Sequence, residues 1–217
     1  MGEKRKADTR ERLLEAACRL FSEKGFADTT VAEICRAAGA NIAAVNYYFG
    51  GKEALYDAVW HYAFRTAEAI CPLEDREDGG VEERIFHLAR AVLTRTFSDG
   101  PEGAFAKLLY REMASPTLAL EKIAEEVLEP QVRRLREAIE SAFPGADPEA
   151  VERCVHSIIG QCVFYNFSRP LRARVMGAET LPPSKIEALA RHIARFSAAG
   201  ISAVLQKQSR TGEETAS

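Results

Sequence analysis

The chain of 217 residues lacks the features that mark membrane and secreted proteins. It contains no apolar run near the roughly 18–20 residues that a transmembrane helix requires. Its charged start at residues 3–8 is not followed by the apolar core of a secretory signal. We therefore expect a cytoplasmic protein with no membrane partner. The net charge of −3 excludes a polycation, so any binding of nucleic acid requires a local basic patch.

Sequence motifs for enzymatic chemistry are missing as well. The chain has no glycine-rich phosphate loop, no nucleophile elbow and no zinc protease motif. Cys154, His156 and Cys162 share one predicted helix, but steps of two and six residues place His156 away from both cysteines. The odd total of five cysteines is typical of reduced, buried thiols. We expect no enzyme activity, no metal site and no cofactor.

Helical periodicity is what the chain does have. Apolar residues recur at three- and four-residue steps through most of it, while glycine and proline signals separate the segments. The pattern predicts an all-α protein with roughly nine helices, the first beginning near Asp8. The polar stretch at residues 71–80 is the best loop, and residues 208–217 lose the apolar period and predict a frayed tail.

Residues 30–49 have the pattern of a helix-turn-helix motif. Glu33 follows Thr30 by three residues, which predicts a capped helix start. Gly39 ends that helix and suits the left-handed turn, and Asn41 is a good cap for the next helix. Val45 and Phe49, four residues apart, can face the core. The spacing therefore predicts two short helices crossing around a tight turn.

The same region resembles the TetR family of transcriptional regulators. The resemblance runs without gaps over about residues 8–60. Within it, segment 41–49 (NIAAVNYYF) is similar to the CecR-like subgroup, and so is segment 111–116 (REMASP) further along the chain. The matched segments are 13–17 (LLEAA), 20–26 (LFSEKGF), 29–31 (TTV), 34–39 (ICRAAG) and 47–56 (YYFGGKEALY). The resemblance implies a DNA-binding domain with its connecting helix at 1–69 and a ligand-sensing and dimerisation domain at 70–207.

The family's mode of binding implies which residues meet a DNA operator. The second helix enters the major groove, and two copies in a homodimer read a palindrome. A tyrosine that often touches a phosphate is replaced by Asn46, which is able to contact either a phosphate or an adenine. A basic residue that some members carry is replaced by Ala32. The expected DNA-binding residues are Thr30, Asn41, Ile42, Ala43, Ala44, Asn46, Tyr47, Tyr48 and Lys52.

Charge gives independent but modest support for DNA binding. Residues 1–52 carry a net charge of +2, whereas the remainder carries −5. Lys4, Arg5, Lys6 and Arg10 form a basic N-terminal segment, interpreted as a flexible arm that follows the DNA backbone. Two other classes stay open: a small-molecule sensor that has lost DNA binding, and a helical-bundle enzyme, for which the sequence offers no cluster of ionisable core residues.

The second domain is where the resemblance implies an effector site and a dimer interface. Apolar faces at 151–167 and 186–201 fit two dimerisation helices, although periodicity does not distinguish an interface from an internal core. Aromatic residues with a few polar groups suit a small-molecule pocket, and plain core is the alternative. The expected ligand-binding residues are Phe105, Leu109, Arg111 and Tyr165; the expected interface residues are Val155, Ile159, Cys162, Val163, Leu189, Ile193 and Phe196.

Overall fold

The computed structural model describes residues 2–72, 79–98, 100–177 and 182–214, without the side chains of 2–6, 166, 169, 170, 176 and 207–214. Throughout these ranges the secondary structure is helical and no strand occurs, which confirms the all-α prediction. None of their helices is long and apolar enough to cross a membrane.

Eleven α-helices are present in the described ranges, with a 3₁₀ turn at Pro101–Gly103 and a π-helical turn at Ala124–Leu128. The α-helices are α1 (Gly2–Lys24), α2 (Val31–Ala38), α3 (Ala43–Phe49), α4 (Lys52–Ile70), α5 (Val81–Phe97), α6 (Ala104–Ala114), α7 (Ala119–Ile123), α8 (Glu129–Ala142), α9 (Pro148–Phe167), α10 (Arg169–Met176) and α11 (Pro183–Glu214).

Two terminal expectations need correction. Helix α1 begins at Gly2 and not near Asp8, so the backbone of the basic N-terminal segment is helical and not a flexible arm. Helix α11 continues to Glu214, beyond the predicted start of a frayed tail at Gln208. In both cases polar residues with adequate helix propensity extend an amphipathic helix past its apolar stripe. Residues 215–217 lie outside the described ranges.

The helices pack as two units. The first unit comprises α1–α4 together with the turn Pro101–Gly103, α6 and α7; the second comprises α5 and α8–α11. The first unit therefore includes residues 98–127, which the sequence-based domain boundaries place in the second domain. Sequence order does not reveal this, because the segment returns to the N-terminal helices only through tertiary packing.

Aromatic side chains form the core of the first unit. Phe21 of α1 packs edge-on against Tyr56 of α4, with ring centroids 4.9 Å apart. Trp60 follows Tyr56 by one turn and packs edge-on against Phe105 of α6, at 5.7 Å. Phe26 stacks on Phe21 in the turn after α1. This continuous aromatic chain joins α1, α4 and α6. Helix α2 packs on α1, and α3 packs on α4.

The second unit is organised around α5. Helices α9 and α11 pack on α5, and α8 packs on both α5 and α9. Ile85, Leu93, Val155, Ile158 and Ile193 form the centre of its apolar core, and all are almost fully buried. The buried sides of α9 and α11 therefore face their own protomer.

Candidate nucleic-acid interface

Helix α2 begins at a fully formed capping box, as the sequence predicts. The Thr30 hydroxyl accepts a hydrogen bond from the Glu33 amide, and the Thr30 amide donates to the Glu33 carboxylate at 2.9 Å. The ammonium of Lys24, from the end of α1, lies 2.7 Å from the same carboxylate. Donation from Lys24 and then from Thr30 lowers the pKa of Glu33 to about 2. The start of α2 is thereby fixed to the end of α1.

A left-handed glycine sets the angle between α2 and α3. Gly39 has φ +61°, and its amide and that of Ala40 donate to carbonyls of the last turn of α2. A side chain at this φ would strain the backbone. Ile34, Cys35 and Val45 are buried between the two helices. The result is a tight helix-turn-helix whose geometry is set by backbone capping and a small apolar core.

Helix α3 presents its N-terminus and one face to solvent. Ile42 is 59% exposed and Tyr47 is 67% exposed, although both are large apolar side chains. Asn46 is exposed beside them. The N-cap of α3 is Ile42, and the Asn41 side chain before it accepts a hydrogen bond from the Ala43 amide at 3.1 Å. Exposed apolar groups around an amide side chain suit base edges and thymine methyls in a major groove.

The remaining expected DNA-binding residues lie in the same region. Ala43 is exposed, and Ala44 is half-buried at the start of α3. Tyr48 is half-buried, and its ring packs edge-on against Tyr47, with centroids 4.8 Å apart. The Thr30 hydroxyl donates to Glu33 as well as accepting from it, so the capping box engages this side chain.

Two cations near α3 are held over aromatic rings. The Lys52 ammonium at the start of α4 lies 4.3 Å from the centre of the Phe26 ring. The Arg10 guanidinium of α1 lies 5.0 Å from the centre of the Phe49 ring, at the end of α3. Such contacts hold a cation in place while leaving its outer side to solvent. The sequence assigns Arg10 to a basic arm, and only the structure reveals its position against α3.

Comparisons with known proteins agree with this geometry. Residues 13–59 match the sequence profile of the bacterial regulatory proteins of the tetR family. Residues 81–201, more than half of the chain, match the profile of the C-terminal domain of the HTH-type transcriptional dual regulator CecR. The chain is a TetR-family transcriptional regulator.

Relatives of this TetR-family protein support the same placement. It is 30% identical over 173 residues to the HTH-type transcriptional dual regulator CecR of Shigella flexneri, covering 74% of this chain and 76% of the relative. The TetR-family regulator PfmR of Thermus thermophilus shares its fold, with a TM-score of 0.61, 20% identity, and 87% and 94% of the two chains covered. The flavonoid-responsive regulator FrrA superposes with a TM-score of 0.59, 24% identity, and 88% and 96% coverage.

The family assignment settles the class of protein. The chain is a DNA-binding transcriptional regulator, and its family and relatives are regulators, not enzymes. No group of three or more potential metal ligands occurs in the portions that the structure describes. Burial raises the pKa of both Cys18 and Cys162 to about 12, which makes these thiols poor nucleophiles at neutral pH.

The four expected ligand-binding residues belong to both packing units. Phe105, Leu109 and Arg111 belong to the first unit, whereas Tyr165 belongs to the second. Phe105 is buried between the rings of Trp60 and Phe64 and serves as core. Leu109 is half-buried on the same helix. Periodicity does not separate core aromatics from pocket aromatics.

Arg111 and Glu112 both bond to other helices of the first unit. Arg111 donates to the carbonyls of Ser22 at 2.9 Å and of Glu23, at the end of α1. Glu112 is only 1% exposed and accepts from the Tyr56 hydroxyl at 2.8 Å. It also accepts from the amide and the hydroxyl of Thr117. These neighbours in sequence tie α6 to α1, to α4 and to the start of α7.

The expected dimer residues divide into two groups. Val155, Cys162 and Ile193 are buried in the protomer's own core, so their side chains are already covered within one chain. Ile159 and Leu189 are partly buried against the same core, and Val163 is half-buried. Phe196 alone of the set is largely exposed. Other large apolar side chains of these two helices are exposed, among them Phe164, Phe167 and Val204.

Proposed function

We propose that this regulator is a ligand-responsive repressor that binds a palindromic operator as a homodimer in the cytoplasm. The observation that carries the proposal is the exposed face of α3, where Ile42, Asn46 and Tyr47 project from a rigid helix-turn-helix. In this binding mode α3 enters the major groove, and its N-terminal residues meet base edges. Two recognition helices about 34–36 Å apart then read the two half-sites.

The surrounding residues take different roles in this proposal. Tyr48 and Lys52 contact phosphates, as does the N-terminus of α2 at Thr30, and these contacts carry no base identity. Ile42 and Ala44 contact thymine methyls. Arg10 joins the phosphate contacts, because its position over Phe49 places its charge beside α3. Asn46 is the candidate for reading an adenine through two hydrogen bonds.

Glycines on α9 and α11 support the homodimer. Gly160 and Gly200 are exposed in helix interiors, where glycine costs about 1 kcal/mol relative to alanine. A Cβ at either position would meet nothing within 4 Å in the protomer. The two glycines flank the contact between the Gln161 amide and the Ser197 hydroxyl, at 3.0 Å, which brings α9 and α11 together. A close-approaching second copy explains glycine at both positions.

Exposed apolar side chains extend the proposed interface. Phe164 follows Gln161 by three residues, and Phe196 directly precedes Ser197. Both are more than half exposed in the single protomer. Helices α9 and α11 of one protomer and their mates would bury these rings in a four-helix arrangement, and burial of apolar area supplies the association energy.

Ligand response is proposed as a shift between two dimer populations. An effector that binds the DNA-incompetent geometry more tightly than the DNA-bound one lowers operator occupancy. The structural neighbour FrrA is described as flavonoid-responsive, which supports a small-molecule effector in this fold. The relative CecR is described as a dual regulator, so a reporter assay on the regulated promoter has to separate repression from activation.

Fluorescence anisotropy tests DNA binding. The purified protein is titrated against DNA from upstream of its own gene and against a scrambled duplex of equal length, at two salt concentrations. We expect preference for the upstream DNA and a log–log salt dependence with a steep negative slope, because phosphate contacts release counterions. Absence of binding to either duplex at low salt would support the alternative of a small-molecule sensor that no longer binds DNA.

Two substitutions then separate phosphate from base contacts. Lys52→Ala should weaken binding to every sequence alike and flatten the salt slope by about one. Asn46→Ala should relax the preference at one base pair, and an equal loss on all duplexes would assign Asn46 to a phosphate. Lys185→Ala, an exposed lysine of α11, is the matched control and should leave both properties unchanged.

A further inference from the structure

Helix α10 has an inverted burial pattern. Its arginine Arg172 is only 9% exposed, whereas its apolar residues Leu171 and Val175 are 64% and 70% exposed. Arginine is among the residues least often buried, and burial without a partner is rarer still. Burial of apolar area therefore does not explain the orientation of α10. The orientation places a guanidinium in the interior of the second unit.

Aromatic faces surround this guanidinium. Its central carbon lies 5.8 Å from the centre of the Phe97 ring and 5.4 Å from the centre of the Tyr165 ring. Phe97 ends α5 and Tyr165 lies on α9, so three helices converge on the site. Both rings also pack against the apolar core of the unit. The two ring faces attract the positive charge of Arg172. They do not accept hydrogen bonds from its N–H donors, which point outward in the plane of the guanidinium.

The donors of Arg172 have no acceptor within the part of the chain that the structure describes. There the side chain forms no ion pair and donates no hydrogen bond; the backbone amide of Arg172 donates to the Ser168 carbonyl at 2.8 Å. Arg136 of the same unit shows the usual solution, since it pairs with both Glu129 and Glu152. A mostly buried charge that has no counter-ion among the described residues favours the binding of an anion.

We infer that Arg172, with Phe97 and Tyr165, binds the carboxylate of a small organic monoanion. The planar guanidinium fork matches a carboxylate through two parallel hydrogen bonds. One unpaired positive charge is balanced by one negative charge, which favours a monocarboxylate over a dianionic phosphate. The two rings and the adjoining core suit an apolar body on the ligand. The residual exposure of Arg172 leaves its edge reachable from solvent.

This inference deepens the proposed ligand response by naming the chemical class of the effector. Of the expected ligand set the inference uses Tyr165, because its ring lies beside the Arg172 guanidinium. Binding is measured on the full chain in the absence of DNA. A failure to bind carboxylates and a failure to bind an operator are therefore separate results.

Thermal unfolding of the protein with benzoate and octanoate tests the inference, with benzamide and octanamide as uncharged partners. At about five times its Kd, a carboxylate that binds only the folded protein should raise the midpoint by about 2–4 °C. The amides should raise it less, and isothermal titration should give the same order of affinity. Inorganic phosphate at matched ionic strength should be the weaker ligand, and a larger shift with phosphate would overturn the carboxylate assignment.

Substitutions of Arg172 complete the test. Arg172→Met should abolish the carboxylate-specific shift while leaving the ligand-free midpoint unchanged or raised, because it removes an uncompensated buried charge. Arg172→Lys keeps the charge but loses the fork, so its Kd for benzoate should rise about tenfold. Arg174→Met, on the exposed side of the same helix, is the control and should bind as the wild type does. Equal shifts for acid and amide, or a shift that survives Arg172→Met, would overturn the inference.

Discussion

Two buried polar residues of the first unit and Arg172 of the second unit are satisfied in different ways. In the first unit, Thr29 and Glu112 are buried and find partners within that unit: the Thr29 hydroxyl bonds the carbonyls of Leu20 and Gly25, and Glu112 accepts from α4 and from the start of α7. In the second unit, the side chain of Arg172 is mostly buried, and its partners among the described residues are the rings of Phe97 and Tyr165. The first unit has the features of a preorganised DNA-reading surface, whereas the second has features that a second component would complete.

The same contrast holds for glycine. In the first unit, Gly39 and Gly50 have positive φ values and are required by the turns on either side of α3. In the second unit, Gly160 and Gly200 lie in regular helices and have no such role within the protomer. Replacing a glycine that has a positive φ should strain the backbone of the protomer. Replacing a glycine that lies in a proposed helix–helix contact should leave the protomer folded and disturb the dimer instead.

The largest effect is expected from Gly200→Leu. The new side chain fits the isolated protomer but would separate two closely packed α11 helices in the proposed dimer. Loss of the second half-site contact should weaken operator binding by about 100-fold or more. Size-exclusion chromatography with light scattering reports the oligomeric state, and anisotropy reports the affinity. A dimer of unchanged stability would place the interface elsewhere.

The control for this substitution lies on the same helix. Glu187→Leu also adds an exposed leucine to α11, but on a different side of the helix from Gly200. It should leave both the oligomeric state and the operator affinity near wild type. Gly200→Ala provides a milder probe, since it should stabilise the helix by about 1 kcal/mol while crowding a close interface.

Glu112→Ala is expected to have the next largest effect and probes the first unit. It removes the acceptor of the Tyr56 hydroxyl and of two donors of Thr117, in a site with almost no solvent. Unsatisfied buried donors should lower the free energy of unfolding by about 3 kcal/mol. Urea unfolding at fixed protein concentration measures the change.

Two further variants sharpen that measurement. Glu112→Gln keeps the size and one acceptor oxygen, so its loss should be smaller, about 1 kcal/mol. Glu125→Ala removes an exposed carboxylate from the π-helical turn and should change the stability little. Equal losses for Glu112→Ala and Glu125→Ala would show that the buried network does not hold α6 in place.

Local signals predicted the DNA-reading half of the molecule well. The capping box of Thr30 and Glu33, the left-handed Gly39 and the buried Val45 all follow from short-range rules, and the structure contains each of them. The N-cap of α3 is Ile42 and not Asn41 as predicted, although the Asn41 side chain does accept a hydrogen bond from the Ala43 amide. These features depend on residues within four positions of one another, so a single sequence is sufficient to reveal them.

Long-range packing is what the sequence did not disclose. Val155 and Phe196 both continue an apolar helical period, but one faces the protomer's core and the other faces solvent. Arg111 lies 89 residues from Ser22, the carbonyl that accepts its hydrogen bond. The sequence does not reveal the position of Arg172 for a different reason. The apolar residues beside it on α10 predict that they are buried and that the arginine points outward. Each of these needs three-dimensional contacts that periodicity does not encode.

Arg111→Ala is expected to have a moderate effect on DNA binding without touching DNA. It removes donors to the last carbonyls of α1, next to the turn that leads into α2. Operator affinity should fall about 5-fold, near 1 kcal/mol, through looser positioning of the helix-turn-helix. The salt slope should stay unchanged, because no phosphate contact is lost. Arg19→Ala, an exposed arginine of α1, is the control; a slope lower by about one would instead assign Arg111 to the DNA backbone.

The smallest effect concerns the charge at the start of α2. The folded pKa of Glu33, about 2, lies below the value of about 4.3 for an unfolded chain. Its stabilisation of the folded state is therefore present above about pH 4.3 and is lost as the pH falls towards 2. NMR titration of the side-chain carboxyl measures this pKa directly. Lys24→Met should raise it, because donation from Lys24 is the largest cause of the shift. An unchanged pKa in Lys24→Met would show that the hydrogen bonds from Thr30 alone lower the pKa of Glu33. The ion pair with the end of α1 would then not stabilise the start of α2.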